Sequence, residues 1–166
     1  MHFAILMMLA LQTPEADQTL RWNLPEPVHA AFFSPAFEAT FELGGWVNPF
    51  YLRGDFDGDG RVDYAVLVTR RDNRKKGIAV WLSSRSGSSL VMIGAGTPAR
   101  AGEADTDDWS FFDVWQVYPR GRVRQGVGEG PPPRLKGDAL LIEKSESASG
   151  LVYWDGKRFH WYQQED

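Results

Sequence analysis

Residues 54–68 read GDFDGDGRVDYAVLV and place Asp55, Asp57, Asp59 and Asp63 just ahead of a run of apolar residues. Aspartates at alternate loop positions turn their carboxylates to one inner side, the arrangement that a hard, oxygen-seeking cation such as Ca2+ requires. With Asp55 as the first loop position, Asp57 is third, Asp59 fifth, Gly60 sixth, Arg61 seventh and Asp63 ninth. Gly60 then falls where a sharp reversal needs positive φ. Arg61 is placed to offer its backbone carbonyl with its side chain pointing out, and Asp63 to ligate directly or through water. Carboxylates about 5 Å apart repel by roughly 0.8 kcal/mol per pair even at the dielectric of water, and about six such pairs make roughly 5 kcal/mol. Without a cation the loop is expected to be open or partly protonated.

The twelfth loop position is Val66, where an EF-hand carries a bidentate Glu. Gly44, Gly45 and Pro49 upstream oppose a long entering helix, and Tyr64 to Val68 downstream favour strand. The loop is therefore read as strand-flanked rather than as an EF-hand. The missing Glu weakens the site unless a carboxylate from elsewhere in the chain replaces it.

This stretch resembles the calcium loop of FG-GAP and VCBS-type repeats, which occur in the propeller blades of integrin α chains and in many exported bacterial proteins. In those repeats the loop joins two strands and its aspartates hold calcium. The resemblance implies a ligand role for Asp55, Asp57, Asp59 and Asp63, and for Arg61 through its carbonyl, with Ca2+ as the cofactor. It covers 15 of 166 residues, and the motif occurs once. A propeller needs several blades, so that fold is not implied.

Other groupings carry weaker chemistry. Arg53-Gly54-Asp55 matches an adhesion tripeptide, but Asp55 is already assigned to the metal loop. Arg70, Arg71, Arg74, Lys75 and Lys76 form a basic cluster read as a solvated hairpin tip. Glu103, Asp105, Asp107, Asp108 and Asp113, interleaved with Trp109, Phe111 and Phe112, read as a loop leading into a strand, with a further metal ligand or a partner surface as the rival. Glu143, Ser145, Glu146, Ser147 and Ser149 offer hydroxyls and carboxylates. The histidines are His2, His29 and His160, and none is placed as the base that a serine nucleophile needs. No spacing selects a carboxylate pair for glycoside cleavage, and no phosphate loop, dinucleotide fingerprint or zinc spacing is present.

The composition bounds the rest. A chain of 166 residues, 43% hydrophobic and 13% aromatic, suits one domain with a sizeable core. A formal charge of −4 disfavours a nucleic-acid partner. The absence of cysteine removes disulfides, thiolate metal sites and cysteine nucleophiles. The apolar run from Phe3 to Leu11 is too short for a transmembrane span and fits the apolar segment of a secretory signal, although no Lys or Arg precedes it.

The elements that must position the loop are mostly strands. Residues 12–26 read as a polar leader or linker, and PEPVHAAFF as one short helix closed by Pro35. Alternation in residues 37–43, FEATFEL, reads as a half-buried strand, and Gly44, Gly45 and Pro49 as a break from there to the Asp loop. Tyr64 to Thr69 is expected as a central strand with both faces covered, and Ile78 to Ser83 as its hairpin partner. Further strands are expected at 90–93, 113–119 and 138–144, with a long irregular loop over 120–137. At the C-terminus Asp155-Gly156 predicts a two-residue turn that pairs Trp154 with Lys157 and Val152 with Phe159. Val152, Trp154, Phe159 and Trp161 then share the core side.

The expected fold is mainly β: a single antiparallel β-sheet domain, meander or sandwich-like, with about seven strands and one short N-terminal helix. Residues 1–14 are read as a possible signal peptide or leader and 15–166 as one calcium-stapled domain, periplasmic or secreted. The functional expectation is a binding protein with a protein or glycan partner, no nucleic acid and no transmembrane span. The alternatives are an inhibitor or immunity protein of a cell-wall hydrolase, whose partner touches the 120–137 loop or the acidic aromatic stretch, and a calcium-dependent hydrolase. The reading leans away from an enzyme.

Overall fold

The structure is a computed structural model that describes residues 15–98, 107–127 and 130–165. The expected leader, residues 1–14, lies outside the described residues. So do Glu103 and Asp105.

Tyr64 to Val68 is an unbroken apolar run, and a strand of that composition needs cover on both faces. It forms the centre of β3 (Asp63–Arg70), in which the residues from Asp63 to Thr69 are all buried. β4 (Lys76–Ser84) pairs with it antiparallel, Val66 opposite Ala79, and β5 (Gly87–Gly94) pairs with β4. On the other edge of β3 two short strands share the ladder: β1 (Phe41–Leu43) pairs with its end and β2 (Tyr51–Gly54) with its start. The second sheet is a meander of β6 (Val114–Tyr118), β7 (Ala139–Lys144), β8 (Ala148–Trp154) and β9 (Phe159–Glu165).

The two sheets face each other over one apolar core. Ala65, Leu67, Ile78 and Val80 from the first meet Leu140, Ile142, Val152 and Phe159 from the second. Trp115 on β6 ties them further by donating its indole N–H to the Pro49 carbonyl, 2.6 Å away. The outer face of the first sheet carries Val66, Val68 and Ala79 against Leu24, Val28, Phe32 and Phe37 of the N-terminal helical region. The outer face of the second sheet is covered at Ala139, Leu151 and Tyr162 by Val123, with Leu135 packed alongside. The described parts of the 120–137 segment, 120–127 and 130–137, are thus irregular, as expected, and they also cover part of this face.

The mainly β, antiparallel class stands, but among the described residues the strands number nine in two sheets and the helical region is larger than one short helix. α1 (Glu15–Asn23) occupies what reads as a linker. Its polar sequence hid it, because the apolar anchors near its end are few: Leu20, part-buried, and Leu24, buried just beyond it. A 3-10 turn (Glu26–Val28) and α2 (His29–Phe32) follow. Pro35 starts α3 (Pro35–Thr40) instead of closing a helix. Ser34 caps it by accepting from the Phe37 N–H, and proline suits the first turn, which has spare N–H groups. The strand expected at 37–43 accordingly shrinks to β1, since the cap signal outweighs a short alternation. β2 interrupts the expected break before the Asp loop; it borrows its ladder from β3 rather than relying on propensity.

The C-terminal hairpin differs in register. Trp154 pairs with Phe159 and Val152 with Trp161, so the turn holds Asp155 to Arg158. Asp155 accepts from the Lys157 and Arg158 backbone N–H groups and closes this wider turn. A slip of two residues keeps every side chain on its face. Val152, Trp154, Phe159 and Trp161 therefore do line the core as expected.

A β-bulge at Ser149 and Gly150 lets Trp161 lie over Gly150, where an added Cβ would come within 2.2 Å of the ring. Gly150→Ala should therefore destabilise the domain by about 1–3 kcal/mol through overpacking. Urea unfolding would show this as a lower midpoint at an unchanged slope.

Candidate metal centre

The loop from Asp55 to Val62 joins β2 to β3, whose first residue is Asp63. Gly58 and Gly60 supply the positive φ that closes it, +81° and +84°. Phe56 is wholly buried and inserts into the core between the sheets, so the loop is anchored by an apolar plug from within.

Its aspartates are first of all acceptors for backbone N–H groups. Asp55 accepts from Gly58 at 2.9 Å and from Gly60 at 3.0 Å, one to each oxygen. Asp57 accepts from the Asp59 N–H, and Asp59 from the Arg61 N–H. Asp63 is wholly buried. One of its oxygens accepts from Phe56 at 2.8 Å and the other from the Ser83 N–H on β4 at 2.8 Å. That carboxylate therefore fastens the loop to two strands at once. Each Asp55 oxygen has two lone pairs and one donor, so its hydrogen bond orients it without exhausting it, whereas each Asp63 oxygen also accepts a longer second bond, from the Asp57 N–H and the Ser83 hydroxyl, both at 3.4 Å.

The loop brings three of the expected residues together. One carboxylate oxygen each from Asp55, Asp57 and Asp63 lies within 4.8 Å of the others, a group able to hold a metal ion. Oxygens bound to one calcium at about 2.3–2.6 Å can be no more than about 5 Å apart, so this spacing fits a hard cation. With carboxylates and no imidazole or thiolate in the set, the donors are of the hard, oxygen type. Asp59 is outside the group and faces the Arg61 guanidinium, 3.9 Å away. The Arg61 side chain is exposed, as expected.

Removal from solvent is the main reason that Asp57 holds its proton more tightly than usual, with repulsion from Asp59 and Asp55 adding to it. The same desolvation pushes Asp63 up to about 6, even though the Ser83 and Phe56 N–H groups favour its charged form. The loop is closed by these backbone hydrogen bonds.

Two partners of the loop were invisible in the local sequence. Asp138, at the start of the second sheet, accepts from the Asp55 N–H at 3.0 Å, and its own N–H donates to the Asp55 carbonyl at 2.6 Å. The backbones touch there: an added Cβ on Gly137 would fall 2.2 Å from the Asp55 carbonyl oxygen. Ser83 is the other. A Gly-Asp pair before an apolar strand, as in KGDALL, is the only trace of Asp138, and nothing in it points 83 residues back.

The other groupings have local uses. In the basic cluster Arg70 pairs with Asp72, Arg71 and Arg74 with Glu42, and Lys75 with Asp107. Lys76 lies over the Trp46 ring. Asp108 accepts from the Lys76 and Ser110 N–H groups, while Trp109 and Phe112 are core residues. Asp113 binds Lys144 and Ser145 and so fixes the β7–β8 turn. His29 contacts the Leu24 carbonyl and His160 contacts Asp155. Arg53 is an exposed β2 residue beside Asp55, whose oxygens both serve the loop.

Comparison with protein-family models, with curated proteins and with solved structures finds no match to this chain.

Because Asp63 is raised from 3.8 to about 6, the folded metal-free protein binds that proton more tightly than the unfolded chain does. Its contribution to stability is then complete below pH 3.8 and is lost as pH rises through about 6. In chelator, urea midpoints should show this downward component over that interval, and Asp63→Asn should remove it. Asp63→Ala strands the Phe56 and Ser83 donors and should cost about 1–3 kcal/mol for each buried group left unpaired.

Proposed function

We propose that this chain is an exported β domain that holds Ca2+ in the Asp55–Asp63 loop as a structural staple and acts by binding a protein or glycan partner outside the cytoplasm. The observation that carries the metal reading is the convergence of Asp55, Asp57 and Asp63 oxygens within 4.8 Å. Calcium is the cation of choice because the donors are carboxylates on a flexible loop, and calcium accepts six to eight oxygens in adaptable geometry where magnesium demands a near-ideal octahedron. Asp59 and the Arg61 carbonyl belong to the proposed set through the resemblance to FG-GAP and VCBS-type loops. The bound ion would favour the ionised form of each carboxylate and offset their mutual repulsion.

The position of the loop supports a staple. It contacts β3 and β4 through Asp63 and the second sheet through Asp138. An ion there would fix the seam of the sandwich, a useful restraint in a chain without disulfides. Export rests on the apolar run from Phe3 to Leu11 and on the kind of protein in which such loops occur. A binding role is favoured over catalysis by the local engagement of Ser145 with Asp113 and of His160 with Asp155.

Calcium at about a hundredfold above its dissociation constant should add about 2.7 kcal/mol of stability, which for a domain of this size is a rise of roughly 5–10 °C in melting temperature. Differential scanning calorimetry in calcium and in chelator measures it, and an unchanged melt would sink the staple. Asp57→Asn should abolish the calcium response while leaving the melt in chelator unchanged or higher, because Asp57 carries repulsion from Asp55 and Asp59 and does not clamp β3 to β4.

A further inference from the structure

The segment from Arg120 to Lys136 holds five cations, Arg120, Arg122, Arg124, Arg134 and Lys136, against one acid, Glu129, in a chain whose net charge is −4. The basic cluster of the β3–β4 turn is neutralised by Asp72, Glu42 and Asp107. By contrast, among the described residues no carboxylate pairs with the guanidinium of Arg120, Arg122, Arg124 or Arg134. Arg122 and Arg134 form an antiparallel β-bridge, and both are exposed. Residues directly opposite in such a bridge have Cβ atoms about 4.5–5.5 Å apart, and like charges so placed repel. The Tyr118 hydroxyl, which donates to the Arg122 carbonyl, helps hold the backbone in place.

Beside this pair lies an open cavity of about 380 Å³, walled by Val123, Pro132, Pro133 and Leu135 between the two arginines. Val123 is buried in the small core beneath, so the floor is part of the fold and not a free strand of chain. Apolar walls and two unpaired guanidinium groups define the occupant by chemistry. Guanidinium binds planar carboxylates through paired N–H donors, and proline, valine and leucine accept an apolar side chain. Among the described residues the lining has no aromatic ring for stacking a sugar and no amide or hydroxyl side chain for its hydroxyl groups.

We propose that this groove docks an acidic peptide segment of a partner protein, with carboxylates on Arg122 and Arg134 and a neighbouring apolar side chain between Val123, Pro132, Pro133 and Leu135. The proposal rests on the reading of this chain as a binding domain and names its surface and partner class. Arg120 and Arg124 flank the groove in sequence and extend its attraction for negative charge.

The test is fluorescence anisotropy of a short labelled peptide alternating Glu and Leu, titrated with the full chain. Saturable binding that weakens with added salt is expected, with a loss of roughly tenfold or more in the Arg122→Gln, Arg134→Gln double variant. The same peptide with Gln in place of Glu should not bind. Arg85→Gln, which removes an exposed charge from the β4–β5 turn, should bind as the parent does. The double variant should melt no lower than the parent, since it removes a like-charge pair, and this separates lost docking from lost folding. Equal binding by parent and double variant, no binding by the parent, or preference for polygalacturonate over the peptide would overturn the proposal. Calcium titrations of the same proteins keep the two readings apart: a chain that responds to calcium but ignores the peptide refutes the groove alone, and peptide binding retained in a chain that ignores calcium refutes the staple alone.

Discussion

The wholly buried carboxylate of Asp63 is the constraint on which the arrangement of the loop depends. It sits at the first position of β3 and accepts backbone N–H groups from Phe56 in the loop and from Ser83 on β4. A buried charge without partners is costly, and a buried N–H without an acceptor is costly too. Asp63 and its donors resolve both costs only when loop, β3 and β4 are in their native places. This makes the clamp cooperative with the sheet, and it fixes where the remaining aspartates can point. Asp55 and Asp57 converge on the Asp63 side because the chain between them has been pulled there by Phe56 and closed by Gly58 and Gly60.

The same geometry explains why carboxylates so close together are tolerated. Each is oriented by at least one backbone N–H, and such donors stabilise negative charge locally. Burial works in the opposite direction at Asp57 and Asp63, and there it prevails. Charge that is oriented but incompletely compensated is the condition under which a divalent cation gains most, because the ordering that binding would otherwise have to supply is already present. In this respect the clamp and the proposed calcium site are one device: backbone donors hold the oxygens in place, and the cation would meet the unused lone pairs of Asp55 and Asp57 and displace the longer 3.4 Å bonds to Asp63.

Sequence made the contiguous features legible and concealed the remote ones. β3 and β4 could be read because a strand covered on both faces must be apolar throughout, and the Asp loop because its ligands lie within one turn of chain. The core face of the last hairpin was also readable, since parity survives a two-residue change of register, whereas the register itself depends on Asp155 choosing N–H groups of Lys157 and Arg158. β2 has only four residues and exists because β3 offers it a ladder. α1 is polar and is held by few apolar contacts. Asp138 and Ser83 lie 83 and 20 residues from the groups they serve, and no local pattern encodes such pairings.

Asp138 also relates the two surfaces for which a function is proposed. One of its oxygens accepts from the Asp55 N–H in the acidic loop and the other from the Arg120 N–H, where the basic segment begins. The end of that segment is held as well, because Gly137 packs against Asp55 and Gly58 at backbone distance. Both ends of the arginine-bearing excursion are therefore moored to the aspartate loop, while Val123 and Leu135 within it rest on the outer face of the second sheet. Net charge conceals this layout: four aspartates gather in a closed loop, and arginines without a carboxylate partner among the described residues line a groove tied to it through Asp138. A shift of the Asp55 backbone would strain both of its hydrogen bonds with Asp138, whose other oxygen holds the Arg120 N–H at the start of the groove segment. Coupling of that kind is reciprocal by thermodynamic necessity, so a cation that orders the loop and a peptide that orders the groove would each change the affinity of the other by the same factor.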